Sequence, residues 1–409
     1  MKWDDVSNRT ILVLSILGSL AGIFFSAAYH SGGLNGPYSD ILSFWQRSWV
    51  ASGQVPYTQG AFLEYPPVSG LILYAARIVG GSIAGVVGSV YAGYYDSFSV
   101  LSLIAAVGIA WSTWRLAGDL GVRLNPLYFI LPSMLIYGVY NFDLFNALFI
   151  VLCLQFFVEK KRGWSASFMG LAIATKLVAG VLLPIFLLEL TSWKDRTRYV
   201  TVALIVAAAF FVPIAIYNFS YFNQFLSYYS SWGLEDAWYI WIFGDQFSVT
   251  AKIFGLVLMV VLLVRIYTLK MPLVQRSFLA LSAYLLSSTI FAPQFTVMLV
   301  PLVAVLALNS PWLYCMEVFN ALIIFSWFSV PDPTHVWTAP QAIALVRSAS
   351  LALLSLSVAA ASGHSLLGWV RARLGPQTTM DSFLGKTTTK IGANLRLLPV
   401  HLAVRRKRS

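Results

Sequence analysis

The polar loop from Gly32 to Pro67 carries the side chains best suited to acid–base chemistry, namely Asp40, Glu64 and Arg47. In a chain that is 58% apolar and only 11% charged, two carboxylates in one loop are unusual. A carboxylate in low-dielectric surroundings can take a proton from a hydroxyl group as that hydroxyl attacks an electrophile. Asp40 is therefore a candidate general base. The structural alternative is that Asp40 only caps the short amphipathic helix predicted to follow it.

The motif Glu64-Tyr65-Pro66-Pro67 closes this loop. Proline suits the first turn of a helix, so a helix should begin here, and Glu64 would complement the positive end of its dipole. The functional alternative is that Glu64 orients Arg47 or a bound acceptor molecule. We assign five residues to the acceptor side or its support: Glu64, Tyr38, Tyr65, Asn141 and Asp143.

Lys176 interrupts the long apolar run 165–190, which has basic residues at both ends. Since basic loops stay cytoplasmic, the run must cross the membrane an even number of times, and two short helices meeting at Lys176 satisfy this requirement. A charge at membrane depth costs about 2.5 kcal/mol or more and usually faces an interior cavity. Both lysine and arginine bind phosphate groups, so Lys176 and Arg47 are candidate phosphate ligands.

Further polar residues fall at predicted outer helix ends: Asn141, Asp143, Asn146, Gln294 and His335. We add Gln294 and His335 to the candidate phosphate-binding residues, although a lone histidine such as His335 is more often a solvated loop residue. For Lys252 and Arg347 we expect the side chain to snorkel towards a helix end.

No motif in this sequence strongly predicts a cofactor-binding site. Two carboxylates without a histidine or cysteine cluster do not predict a metal site, so no cofactor is expected, with a divalent metal left open. No glycine-rich loop of the nucleotide-binding type is present, which argues against ATP or a nucleotide sugar as substrate. The two cysteines, Cys153 and Cys315, lie in apolar runs and are expected to be small buried hydrophobes.

Membrane helices are expected to hold these residues in place. A mean hydropathy of +0.75 over 409 residues is typical of a multi-pass membrane protein. A span needs roughly 20 apolar residues, and the run 68–95 is either a hairpin of two short helices or one tilted span. We therefore predict an all-α transmembrane bundle of about 11 to 14 helices. The other predicted spans are 10–29, 97–114, 126–141, 143–158, 165–190, 199–217, 248–268, 277–291, 294–309, 312–330 and 341–361.

The basic residues predict the orientation of the bundle. Both termini and the basic loops should be cytoplasmic, which places the Asp40 loop and the aromatic loop 218–247 on the outer side of the cell membrane. The aromatic loop either lies at the membrane–water interface as an aromatic belt or forms a surface on which sugar rings stack and lipid chains slide. We predict a transmembrane domain at 1–371 and a basic cytoplasmic tail at 372–409. Such a tail suits anionic membrane lipids, and nucleic acid is not an expected partner.

The motifs together resemble a known family. Tyr38-Ser39-Asp40, Gly53-Gln54-Val55-Pro56-Tyr57 and Glu64-Tyr65-Pro66-Pro67 resemble the first outer loop of the GT-C superfamily of polytopic glycosyltransferases. Within it, the chain looks most like the polyprenyl-phosphate-mannose-dependent mannosyltransferases of bacteria and archaea. Asn141-Phe142-Asp143, the break at Lys176 and Pro293-Gln294 are also similar to that family.

The resemblance implies a function. Such enzymes transfer a sugar, here mannose, with inversion from a polyprenyl-phosphate donor to a hydroxyl of a glycolipid or glycan acceptor. Asp40 matches the base, and Lys176 and Arg47 are our candidates for the donor phosphate. Some members of the family use a divalent metal and others do not, and the absence of an Asp-x-Asp motif from the first loop leaves metal dependence open here. The alternatives are a transporter or flippase of a lipid-linked sugar, and a non-catalytic membrane subunit.

Overall fold

Most of the described chain is helical in the computed structural model, which describes residues 6–32 and 37–361. The all-α fold is confirmed for these residues, which contain an isolated β-bridge between Glu235 and Ile290 and no strand. Six described helices are long and apolar enough to cross a membrane, which indicates a multi-pass membrane protein. They are α1 (Asn8–His30), α4 (Pro67–Val87), α5 (Val90–Asp119), α10 (Trp193–Tyr217), α13 (Val249–Thr268) and α17 (Ala339–Ala361).

The remaining α-helices are shorter. They are α2 (Asp40–Trp45), α3 (Ser48–Ser52), α6 (Pro132–Tyr137), α7 (Asp143–Val158), α8 (Arg162–Thr175), α9 (Leu183–Glu189), α11 (Phe219–Ser231), α12 (Ile240–Phe243), α14 (Leu273–Ser287), α15 (Val300–Val305) and α16 (Pro311–Trp327). Three 3₁₀ segments precede α6, α9 and α15, at Pro126–Ile130, Leu177–Leu182 and Pro293–Leu299. The predicted tail 372–409 and its boundary at 371 lie outside the described residues.

Prolines explain why several predicted spans are divided into two segments. Proline lacks a backbone N–H and fits the first turn of a helix, and Pro132, Pro184 and Pro301 each occupy the start of α6, α9 and α15. Every residue of α15 is buried, whereas only 17% of the most apolar window of α10 is buried. Interrupted helices persist at membrane depth only where protein or a wet cavity surrounds them. The divided segment α15 therefore lies in the core of the bundle, whereas α10 lies at its periphery.

Helices α4 and α5 form a hairpin. The run 68–95 covers α4, the turn and the first residues of α5, so it is neither the hairpin of two short helices nor the single tilted span that was predicted. Helix α4 ends at Gly88, whose φ of 93° is left-handed, and α5 begins after its N-cap Ser89. The two arms touch at Gly80, where an added Cβ would lie 2.2 Å from the backbone nitrogen of Tyr94. The second arm continues directly into the predicted span 97–114, so both belong to the single helix α5.

Helices α1 and α5 run antiparallel and define the two ends of the bundle. The Tyr95 hydroxyl donates to the Ala27 carbonyl at 2.8 Å, and Trp114 Nε1 donates to the Asn8 carbonyl at 3.0 Å. We call the end where α1 finishes the Asp40 end, because α2 lies there. The opposite end carries basic residues, and its ion pairs include Arg115 with Glu159 at 3.1 Å.

A second hairpin places Lys176 at its apex. Lys176 has extended backbone angles (φ −148°, ψ 128°) between α8 and the 3₁₀ segment that leads into α9. The returning arm brings Phe186 against Phe157 at the end of α7, with 4.9 Å between the ring centroids. The break predicted at Lys176 is therefore present, with two short arms that return to the basic end.

Candidate active site

Asp40 occupies the first turn of α2, and the cap of that helix is a different residue. The Ser39 hydroxyl accepts the Leu42 N–H at 3.3 Å, so Ser39 is the N-cap and the capping role considered for Asp40 is wrong. Two contacts fix α2 on the bundle. Ile41 N donates to the Tyr140 carbonyl at 3.2 Å, and the Tyr94 hydroxyl donates to the Ile41 carbonyl at 2.8 Å.

Side chains from distant parts of the chain converge on the Asp40 carboxylate. Asn141 Nδ2 donates to Asp40 Oδ2 at 2.5 Å and to the Tyr65 hydroxyl at 2.8 Å. Gln294 Nε2 approaches the same Asp40 oxygen at 3.4 Å, and the Tyr38 hydroxyl also hydrogen-bonds with the carboxylate. Five of the predicted site residues therefore meet at one point.

The surroundings of Asp40 tune its acidity. Asp40 keeps part of its surface accessible, yet protein surrounds the carboxylate in most directions, so it lies in a recess. Burial raises the pKa of Asp40 to about 7, and the Tyr38 hydrogen bond and the Lys176 charge oppose this rise. The negative charge of Glu235 adds to the rise. A carboxyl group with a pKa near neutrality can exchange protons at physiological pH, as a general base requires.

Lys176 and Asp143 form a buried ion pair beside this recess. Lys176 Nζ donates to both Asp143 oxygens, at 2.7 and 2.8 Å, and the two side chains are 7% and 2% exposed. The same ammonium group lies 4.1 Å from the ring centroid of Phe295 and 5.6 Å from that of Tyr65. Its charge also acts on Asp40. We assigned Asp143 to the acceptor side and Lys176 to a phosphate, and the structure joins them in one pair.

Arg47 and Glu64 form a second ion pair at this end of the bundle. Two parallel hydrogen bonds of 2.6 Å join the guanidinium to the carboxylate, and the arginine side chain remains 32% exposed. The guanidinium also lies 4.7 Å from the ring centroid of Phe44. Glu64 therefore orients Arg47, which was one of the roles that the sequence left open.

The sequence interpretation did not single out Glu235 as a site residue. Glu235 lies in the aromatic loop between α11 and α12, and its charge acts on Asp40 and on Tyr38. Burial raises the pKa of Glu235, and Trp232 Nε1 donates to its Oε2 atom at 3.0 Å. The one usable signal was the acidic pair Glu235-Asp236 inside an otherwise aromatic stretch.

His335 and Arg347 differ from their predicted roles. His335 lies on an exposed turn, hydrogen-bonded through its backbone to Asp332 and Thr338, and does not join the Asp40 cluster. Arg347 is fully buried and does not snorkel. Its guanidinium donates to Asn320 Oδ1 at 3.3 Å and to the Asp236 carbonyl at 3.1 Å, and lies 3.7 Å from the Phe291 ring centroid. Burial with these acceptors replaces the expected contact with the membrane surface.

The chemistry of the recess follows from its own side chains. Among the described residues, no group of three or more His, Cys, Asp or Glu is arranged to hold a metal ion. The recess instead combines the Asp40 carboxylate, whose pKa is raised to about 7, with the Glu235 carboxylate. The buried Lys176 ammonium group and the partly exposed Arg47 guanidinium lie beside them. No family model matches the chain, and no curated protein matches it in sequence.

Proposed function

We propose that this chain is an inverting membrane glycosyltransferase of the GT-C type that uses a polyprenyl-phosphate sugar, with mannose as the sugar. The acceptor is a hydroxyl group of a glycolipid or glycan. In this proposal the basic end and both termini are cytoplasmic, and the recess opens on the outer face of the cell membrane. The observation that carries the proposal is Asp40, a carboxylate in a polar recess with a pKa near neutrality.

The reaction needs one proton acceptor and one leaving group. Asp40 takes the proton from the acceptor hydroxyl, whose oxygen attacks C1 of the sugar from the side opposite the phosphate. The bond between C1 and the phosphate oxygen breaks, and the electron pair leaves with the polyprenyl phosphate. The configuration at C1 is therefore inverted, and no covalent enzyme intermediate is formed.

Positive charge beside the recess supports the departure of the phosphate in this proposal. Fixed cations stabilise charge that develops on a leaving group. Lys176 has three N–H donors and Arg47 has five. Each can therefore donate to a phosphate while it keeps its ion pair with a carboxylate. Asn141 and Gln294 hold the Asp40 carboxylate in place through their hydrogen bonds.

The direct test is Asp40→Asn in purified protein, assayed for sugar transfer from polyprenyl-phosphate mannose. Loss of a general base typically costs about 10²- to 10⁴-fold in rate, and we expect a loss in that range. Asp96→Asn is a matched control, because Asp96 is exposed on α5. Full activity in folded Asp40→Asn protein would reject the assigned role.

A second candidate function is transport of a lipid-linked sugar. It is favoured by a buried chain of polar side chains, since intramembrane polar groups often mark transport pathways. Arg347 donates to Asn320, Asn320 donates to Thr296 at 2.9 Å, and the Thr296 and Ser133 hydroxyls lie 2.7 Å apart. The Ser133 N–H then donates to Glu317 at 2.8 Å. Product analysis separates the two functions, because a transporter makes no new glycosidic bond.

A further inference from the structure

Glu235 is a second carboxylate of the recess, and the proton transfer described above does not use it. It is partly accessible, and its charge acts on Asp40, Tyr38 and Tyr228. Two like charges near each other are unfavourable unless a ligand or a hydrogen bond compensates for them. The position of Glu235 therefore needs an explanation of its own.

The backbone around Glu235 is anchored on both sides. Its N–H donates to the Thr289 carbonyl and its carbonyl accepts the Phe291 N–H, both at 2.9 Å. The carbonyl of the next residue, Asp236, accepts a hydrogen bond from the fully buried Arg347. The segment that pairs with Glu235 continues directly to Gln294, which approaches Asp40. One rigid framework therefore fixes both carboxylates of the recess.

Aromatic rings lie directly beside this carboxylate. Trp232 donates its indole N–H to Glu235 and remains 39% exposed. The Tyr228 ring lies 5.3 Å from the Trp232 ring, and Phe62 lies 6.1 Å from Tyr228, measured between centroids. A carboxylate accepts hydrogen bonds from hydroxyl groups, and an exposed aromatic ring offers a flat apolar face. A sugar ring has hydroxyls at its edge that can donate to the carboxylate, and C–H groups on its faces that can pack against the aromatic ring.

The recess contains charges of both signs. The Asp40 and Glu235 carboxylates act on each other, whereas the cations Lys176 and Arg47 are each already paired with another carboxylate. An anionic phosphate is disfavoured beside two carboxylates, and a neutral ligand with many hydroxyls is not.

We propose that Glu235, Trp232 and Tyr228 form a binding subsite for the ring hydroxyls of a sugar. This inference rests on the proposed function. The hydroxyls belong to the sugar of the donor lipid or to the acceptor glycan, which share this chemistry.

The test is the affinity of the Glu235→Gln variant for two lipids, polyprenyl-phosphate mannose and polyprenyl phosphate. If the donor sugar occupies the subsite, the variant should bind the mannosylated lipid about tenfold or more weakly, because hydrogen bonds to a charged group are strong. Its affinity for polyprenyl phosphate should not change. If the acceptor occupies the subsite, both affinities stay unchanged and the KM for the acceptor rises by a similar factor.

Deoxy analogues of mannose provide a second test, because a misfolded variant would not give the pattern of affinities expected from them. Removal of the hydroxyl that contacts Glu235 should weaken binding to the wild-type protein but not to Glu235→Gln. Trp232→Leu should weaken binding of the same sugar, and Asp245→Asn, at an exposed position of the same loop, should not. Unchanged donor affinity together with unchanged acceptor KM in folded Glu235→Gln overturns the subsite. Absence of any mannose transfer by the wild-type protein instead overturns the proposed function.

Discussion

In the proposed function Asp40 is the proton acceptor, and the electrostatics of the recess set its protonation state. Burial disfavours its ionised form, and the repulsion from Glu235 acts in the same direction. The Tyr38 hydrogen bond and the Lys176 charge act in the opposite direction, so the pKa of Asp40 rises only to about 7. This balance keeps a substantial ionised fraction near neutral pH while leaving the carboxylate basic enough to take a proton.

The pH dependence of kcat/KM should report this balance. The ionised form of Asp40 is the active one, so activity should rise about tenfold per pH unit below the pKa and level off above about pH 7. The measurement is kcat/KM for mannose transfer from about pH 5 to about pH 9. Glu235→Gln should shift the rising limb to lower pH, since it removes one cause of the raised pKa. A profile without this limb would contradict the role of Asp40.

The buried pair of Lys176 and Asp143 makes a separate prediction. Removal of one partner leaves an uncompensated buried charge, so Lys176→Gln should lower the free energy of unfolding by about 3–5 kcal/mol. The double variant Lys176→Gln/Asp143→Asn should recover most of this stability but not the activity. Unfolding in detergent measures the first effect, and mannose transfer measures the second.

Arg115→Gln is the matched control for this pair. The Arg115 side chain is 44% exposed, so the loss of its bond to Glu159 should cost no more than about 1 kcal/mol. If Lys176→Gln lowers the free energy of unfolding by no more than Arg115→Gln does, the charge of Lys176 is not buried in the way described.

At the residue scale, the sequence predicted the members of the site better than their partners. Asp40, Tyr38 and Tyr65 stood out because polar groups are rare in so apolar a chain. The pairing of Lys176 with Asp143 was not predicted, because it depends on where the apex of one hairpin meets the start of another helix. Glu235 was missed for the same reason, since its backbone is fixed by pairing with a distant segment.

At the scale of elements, two helical hairpins position the site. The hairpin of α8 and α9 presents Lys176 at its apex. The hairpin of α4 and α5 presents Tyr94, whose hydroxyl anchors α2 and with it Asp40. Its arms approach closely because both Gly80 and Gly93 lack a side chain at the contact.

Substitution of Gly80 should therefore disturb the site from a distance. In Gly80→Ala the new Cβ meets backbone atoms of α5, which cannot move aside as a flexible side chain would. We expect a destabilisation of about 1–3 kcal/mol or more and a loss of activity. Gly85→Ala, in the same helix but with nothing within 4 Å of its Cβ, should be neutral or slightly stabilising. Equal melting temperatures for the two variants would rule out the close contact.

Element boundaries were predictable where an apolar run was uninterrupted. The predicted spans 10–29, 248–268 and 341–361 correspond closely to α1, α13 and α17. Apolarity alone did not show that 126–141 and 294–309 would each divide, although Pro132 and Pro301 mark the divisions. These segments are stable only inside the bundle, and burial by neighbouring helices cannot be read from one sequence segment.

At the scale of the whole molecule, the two ends of the bundle differ in charge and in aromatic content. Ion pairs with exposed basic partners, such as Arg115 and Lys161 with Glu159, lie at the end where α1 begins. The recess and the aromatic loop lie at the other end. Composition predicted this separation, because positive residues remain on the cytoplasmic side during membrane insertion.

This polarity predicts which positions a reagent can reach from outside an intact cell. Gln59 is exposed at the Asp40 end, and Lys194 is exposed at the start of α10 near the basic end. A membrane-impermeant maleimide should label Gln59→Cys in intact cells, and Lys194→Cys only after the membrane is permeabilised. The wild-type chain gives the background, because Cys153 is buried and Cys315 is partly buried. The reverse labelling pattern would place the recess on the cytoplasmic face, where a donor and acceptor on the outer leaflet could not reach Asp40.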